Sequence, residues 1–153
     1  MKFRFLGLGF FVSFLLVATF AAPASAQSRS AGGEWTGKYV CRQGVTGAHL
    51  ILSEDGSRGV FHFYALPENS RVPEGCYQVT GVFNNATGAL AIIPGEWYLR
   101  PRNYNGAAFS GLVDERSQNF AGKINGLQGC ASVFLSRAAP TRPLPSVCGR
   151  GLP

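Results

Sequence analysis

Trp35-Thr36-Gly37-Lys38-Tyr39-Val40-Cys41-Arg42-Gln43-Gly44 decides how the rest of the chain is read. Tyr39 and Cys41 fall on one side of a two-residue period and Lys38, Val40 and Arg42 on the other, with Gly44 supplying a turn; this is the pattern of an opening β-strand. A cysteine on the inward side of a first strand needs a distant partner. Cys130, in what reads as the last strand, is the one expected, and the bridge would tie the two ends of a sheet together.

Working outward, further strand-like runs occupy residues 45–53, 59–66, 76–83, 89–93, 106–113, 118–125 and 130–137. In 59–66, Phe61, Phe63 and Ala65 share one face while Val60, His62 and Tyr64 share the other. Turns separate the runs at Glu54-Asp55-Gly56-Ser57, Asn84-Asn85-Ala86-Thr87-Gly88, Asp114-Glu115-Arg116-Ser117 and Gly126-Leu127-Gln128-Gly129. No stretch after the N-terminus sustains a helical period. The expected fold is all-β, a small antiparallel up-and-down barrel of about eight strands or a two-sheet sandwich. Glycines within strands (Gly47, Gly81, Gly111, Gly122) and the Cys41–Cys130 bridge favour the barrel, whose closure removes unpaired edges. Two segments interrupt the rhythm. Residues 67–75 form a polar loop with two prolines, and residues 94–105 read as a second loop carrying the densest mixture of aromatic and cationic groups in the chain.

The N-terminus has a different logic. Lys2 and Arg4 precede an apolar run from Phe5 to Phe20, and Ala24-Ser25-Ala26 forms a small-x-small triplet, so residues 1–26 read as a secretory signal peptide rather than a retained anchor. No second run of spanning length follows. The organisation expected is signal peptide at 1–26, flexible lead-in at 27–33, barrel at 34–137 and a Pro-rich tail at 138–153 that is neither strand nor helix and runs over the surface. Cleavage removes Lys2 and Arg4 and takes the formal charge from +6 to +4. The remaining basic residues are dispersed, which argues against nucleic acid and leaves an anionic envelope polymer or an acidic protein as the electrostatically favoured partner. A monomer in the periplasm or outside the cell is expected, with no membrane span once the signal is removed.

All four cysteines lie beyond the cleavage site, and an even count in a small exported domain reads as a disulfide framework. Sequence allows three pairings. Cys41 with Cys130, and hence Cys76 with Cys148, is favoured because the first pair occupies strand-like settings and Cys148 lies on a tail that needs anchoring. A zinc site is the alternative, but no Cys-x-x-Cys spacing is present and neither His49 nor His62 sits at ligand spacing from a thiol. No metal or cofactor is expected.

Catalysis is not expected either. Nucleophilic chemistry needs Ser, Cys or Thr beside an oriented base, and a glycosidase needs two carboxylates across a cleft. Glu54, Asp55, Glu68, Glu74, Asp114 and Glu115 all fall in turns and loops, and His49 and His62 read as partly exposed strand side chains. Asn85-Ala86-Thr87 matches a glycosylation acceptor, a weak motif that is turn chemistry if the source is bacterial. The binding candidates are Trp97, Tyr98, Arg100, Arg102 and Tyr104, since Trp, Tyr and Arg dominate binding hot spots and stack on sugar rings. Trp97 and Tyr104 have a competing role as a plug in one barrel end. Trp35 is expected to close the other.

The pattern Trp35-x-Gly37-x-Tyr39-x-Cys41-x-Gln43-Gly44, then Gly75-x-Tyr77, Trp97-x-x-x-Pro101-x-x-Tyr104 and Cys130-x-x-x-Phe134, resembles a bacterial family of small exported β-domains without a settled activity. It covers about residues 34–137, with Cys76 and Cys148 outside it. The exported barrel opening on a Tyr-x-Cys strand is also similar in architecture to periplasmic lysozyme inhibitors. Their Ser-Gly inhibitory loop has one match here, Phe109-Ser110-Gly111, which lies in a predicted strand. The function expected is a non-catalytic exported binding module of the cell envelope, working through the 94–105 and 67–75 loops, possible roles including inhibition of a partner protein. A secreted effector acting on a host protein and an enzyme of unrecognised type are the alternatives.

Overall fold

The computed structural model describes residues 29–116, 118–140 and 142–153. The signal peptide read at 1–26, the first two lead-in residues and Ser117 of the expected 114–117 turn lie outside the described residues. Eight strands follow in order: β1 (Gly33–Cys41), β2 (Gly44–Leu52), β3 (Arg58–Tyr64), β4 (Gly75–Asn84), β5 (Ala89–Leu99), β6 (Ala108–Asp114), β7 (Asn119–Asn125) and β8 (Ser132–Arg137). Each pairs antiparallel with its sequence neighbours, and β8 returns to β1 through the register Trp35↔Arg137 to Tyr39↔Val133, closing the barrel.

Period-two patterning explains which side of the wall each residue takes. In β6, β7 and β8 the inward residues Phe109, Val113, Phe120, Ile124, Val133 and Leu135 are buried, while the outward Ser110, Leu112, Ala121, Lys123, Ser132 and Phe134 are not. An eight-stranded barrel is just wide enough for its side chains to fill. Here Trp35, Phe61, Tyr77, Phe109 and Phe120 pack in its interior, and burying one such aromatic or a large aliphatic side chain contributes about 1.5–3 kcal/mol.

On β2 and β3 the alternation disappears, because the outer face is covered as well. Val60, Cys76 and Cys148 are completely buried there, with Tyr98, Leu99, Leu144 and Val147 packed against them. The cover is the C-terminal segment, held down by the Cys76–Cys148 disulfide. This segment does run over the surface as expected, but Cys148–Gly151 forms one 3₁₀ turn, where the sequence reading had excluded any helix.

Two other expectations need correction. Strand β5 does not stop at residue 93; it continues through Pro94 to Leu99, so Trp97 and Tyr98 are strand residues. Proline is tolerated because β5 has left β6, with which it pairs only over Ala89–Ile92, and because its register with β4 shifts beside Tyr77 and Val79. The lead-in is also fixed from Ser30 onward. Arg137 donates to the carbonyls of Ser30 and Gly32, its guanidinium lies 4.3 Å over the Trp35 ring, and the Trp35 indole N–H donates to Ala31 O at 2.9 Å. Trp35 thus seals one barrel end, as anticipated. Both disulfides have the favoured pairing, although Cys130 lies in the β7–β8 turn rather than in the last strand.

Candidate binding site at the barrel mouth

The opposite end of the barrel is open. Its turns, residues 42–43, 65–74, 100–107 and 126–131, surround a cavity of about 490 Å³. The floor is aromatic, formed by Tyr39, Phe63 and Tyr77, with Tyr104 as one wall. Tyr104 stacks on Phe63 with centroids 5.5 Å apart and planes 9° from parallel, and Trp97 meets Phe63 and Tyr77 edge-on from the side. Tyr77 is immobilised by its backbone partner: its hydroxyl donates to Ala107 O at 3.1 Å and accepts from Ala107 N at 3.0 Å. Burial pushes the Tyr39, Tyr77 and Tyr104 hydroxyls above the ordinary tyrosine pKa of 10.0, so all stay neutral.

The rim is polar, and much of it is unengaged. Gln43 donates to the Tyr39 hydroxyl at 3.2 Å. The side chains of Asn103, Asn105, Gln128 and Arg42 line the cavity but make no hydrogen bond or ion pair within the described residues. Local geometry holds them there. Pro101 to Tyr104 is a β-turn closed by Tyr104 N to Pro101 O at 3.3 Å, and Asn103 takes a left-handed backbone (φ 64°) that asparagine tolerates. Asn69, from the 65–74 loop, donates to the carbonyls of Gln43 and Val45 at 2.7 and 2.9 Å and so fixes the β1–β2 turn. The Cys41–Cys130 disulfide clamps that turn to the β7–β8 turn.

Charge is segregated at this end. The four turns carry Arg42, Arg71, Arg100 and Arg102 against Glu68 and Glu74. Both acids are engaged, Glu68 with Lys38 at 2.7 Å and Glu74 with His62 and Arg142 at 2.9 and 3.0 Å. None of the four arginines has a carboxylate partner among the described residues.

The five aromatic and cationic candidates do not form one surface. Trp97 and Tyr104 turn inward onto the barrel core, taking the plug role. Arg100 lies 5.7 Å from the Trp97 ring centroid and donates to Tyr104 O at 3.1 Å, so these three belong together. Tyr98 points the other way, under the C-terminal segment, and Arg102 is exposed. Only Tyr104 of the five lines the cavity. Sequence reasoning missed Tyr39, Gln43, Asn103, Asn105 and Gln128 as mouth residues. The available signal was topological: in an up-and-down barrel, alternate turns gather at the same end.

A second polar cluster lies on the outer wall. His49 and His62 are register partners on β2 and β3, with rings 6.3 Å apart. Contrary to the expectation of partial exposure, both are buried, at 2% and 0% relative exposure. The His62 Nε2–H donates to Glu74, and His49 Nε2 lies 3.4 Å from a Glu34 oxygen; among the described residues no partner meets either Nδ1. Burial lowers both pKa values from 6.5, against the opposing pull of the carboxylates. Burial alone would raise Glu74, but hydrogen bonds from His62 and Arg142 bring it below its ordinary value.

A larger open groove of about 1220 Å³ follows the outer wall between the N-terminal segment and β4–β6, lined in part by Ala89, Ala91, Val82 and Leu112. Ser110, of the Phe109-Ser110-Gly111 match, faces out from β6 and accepts from Asn125 at 3.0 Å. Among the described residues no helix is long and apolar enough to cross a membrane, and no group of three or more His, Cys, Asp or Glu is placed to hold a metal. Comparison of the chain with family models, curated proteins and solved structures finds no match.

Proposed function

We propose that this protein is a non-catalytic, exported binding module of the cell envelope, and that it takes its ligand at the barrel mouth. The observation carrying this reading is the cavity of about 490 Å³, in which a rigid aromatic floor meets a polar rim whose Arg42, Asn103, Asn105 and Gln128 side chains have no partner among the described residues. Small-ligand sites are typically concavities of roughly 300–1,000 Å³, mostly apolar, with a few placed polar groups, and the mouths of barrels are among their usual positions. The two disulfides suit an oxidising compartment. The Cys41–Cys130 bridge also keeps two of the turns around the cavity in place without ligand, which lowers the ordering cost of binding.

Occluding the mouth tests this. Asn105 is exposed and its side chain makes no hydrogen bond among the described residues, so Asn105→Trp fills the cavity without removing a core contact. Mature wild-type and variant protein are immobilised and exposed separately to the carbohydrate and protein fractions of envelope extracts. The expected result is capture by the wild type that Asn105→Trp abolishes at unchanged melting temperature. Equal capture by both proteins overturns the mouth as the site.

A further inference from the structure

We propose that the ligand at the mouth is a carboxylate-bearing sugar, the pyranose unit of an acidic glycan. This inference rests on the reading of the mouth as a binding site and adds the chemistry of the occupant. A pyranose has one face of weakly positive C–H groups and an equator of hydroxyls. The negative π face of an aromatic ring complements the first, and Tyr104, half-buried and stacked on the buried Phe63, supplies that ring at the cavity. Hydroxyls both donate and accept, as side-chain amides do; Gln43, Asn105 and Gln128 supply these at the rim.

The sign of the charge follows from what is missing at the cavity. Among the described residues no Asp or Glu lines it, whereas Arg42 does, with a guanidinium that has no partner there. Arg71, Arg100 and Arg102 reinforce the positive potential from neighbouring turns, because the two acids there are already paired with cations, Glu68 with Lys38 and Glu74 with Arg142. A guanidinium grips a carboxylate through paired N–H donors and gives direction as well as attraction. An acidic peptide would satisfy Arg42 and the amide rim but has no pyranose C–H face to lay on the Tyr104 ring. A neutral glycan would satisfy the rim and leave Arg42 unpaired.

The test is calorimetric titration of the mature protein with four probes. Oligogalacturonate carries its carboxylate on the ring, and N-acetylglucosaminyl-N-acetylmuramic acid carries it on a lactyl ether; chitotriose is a neutral pyranose chain, and hexaglutamate is an anion without a sugar. At least one acidic saccharide is expected to bind roughly tenfold or more tightly than chitotriose and hexaglutamate, as loss of a charge-assisted pair or of the sugar-ring contacts requires. Whichever acidic saccharide binds identifies the source of the carboxylate. Arg42→Gln, at an exposed turn position, is expected to remove most of that preference with the melting temperature unchanged. Equal affinity for chitotriose, equal affinity for hexaglutamate, no binding of either acidic saccharide, or an unchanged preference in Arg42→Gln would each overturn the proposal. If the acidic saccharides fail while Asn105→Trp still abolishes capture, the mouth remains the site and only its ligand class falls. If Asn105→Trp also has no effect, both fall.

Discussion

Removing the Cys76–Cys148 bridge by Cys76→Ala/Cys148→Ala isolates what the C-terminal segment does for the barrel. The cross-link spans 72 residues, and loop-closure entropy for that span amounts to roughly 4 kcal/mol. The surviving Cys41–Cys130 link shortens the effective loop slightly, and native disulfides commonly deliver 2–4, so a loss of about 3 kcal/mol is expected. With a urea m-value of roughly 1.5 kcal/mol/M, the unfolding midpoint falls by about 2 M. The bridge also protects the buried histidines, which gives the variant a second signature. His49 and His62 have depressed pKa values in the fold, so the unfolded chain binds more protons. Their contribution is therefore complete above about pH 6.5 and is lost as pH falls through that value toward the depressed folded-state pKa. Once the segment is free to lift, His62 can protonate by local opening, and the pH dependence of global stability flattens. Urea denaturation of oxidised protein at a series of pH values reads both effects. A stability difference below about 0.5 kcal/mol, or an undiminished slope in the variant, would refute the reasoning.

Other perturbations probe separate parts of the molecule. Arg137→Met removes two donors to the Ser30 and Gly32 carbonyls and the cation over Trp35; a loss of about 2–3 kcal/mol is expected in denaturant titration. Gly47→Ala would place a methyl group within the Tyr64 ring, which lies across it on the outer wall. The expected cost is about 1–3 kcal/mol, and a double-mutant cycle with Tyr64→Ala should recover part of it. Glu74→Gln removes the charge that His62 and Arg142 share. Glu74 is held below its ordinary pKa, so its contribution is present above about pH 4.5 and lost as pH falls through the folded-state value; the wild-type advantage over Glu74→Gln should shrink across that lower window. Trp97→Ala opens the wall formed with Phe63 and Tyr77 and should lower stability by about 1–3 kcal/mol, a loss readable by thermal unfolding.

The barrel was legible because its information is local and periodic. Tyr39 and Cys41 already declare an inward face, the Gly- and Asn-rich turns recur between apolar runs, and an inward cysteine requires a partner on a strand that comes round to meet the first. The sequence failed at Pro94, where proline reads as a stop; what keeps β5 going is a register shift on β4 that no local pattern reveals. It failed again at His49 and His62. The outer face of β3, where His62 lies, is covered by the C-terminal segment far along the chain, so a polar residue on the outward face of a strand read correctly as outward and wrongly as exposed. The site was only half legible for a related reason. Aromatic and cationic density in residues 94–105 pointed to the mouth end of the barrel through Tyr104, but Trp97 packs on the core and Tyr98 on the outer wall. The mouth itself is assembled from single polar residues of separate turns, each unremarked in its own context.

The claim on which the account turns is that ligand enters the mouth, and chemical-shift mapping tests it most directly. Isotope-labelled mature protein would be titrated with the acidic saccharide that binds in calorimetry or, failing that, with the envelope fraction it captures. The side-chain amide signals of Gln43, Asn103, Asn105 and Gln128 and the Arg42 Nε–H are expected to shift together, while those of the outer wall stay in place. Shifts centred instead on Val82, Ala91 and Leu112 along the outer groove, or on the Trp35 end, would contradict it.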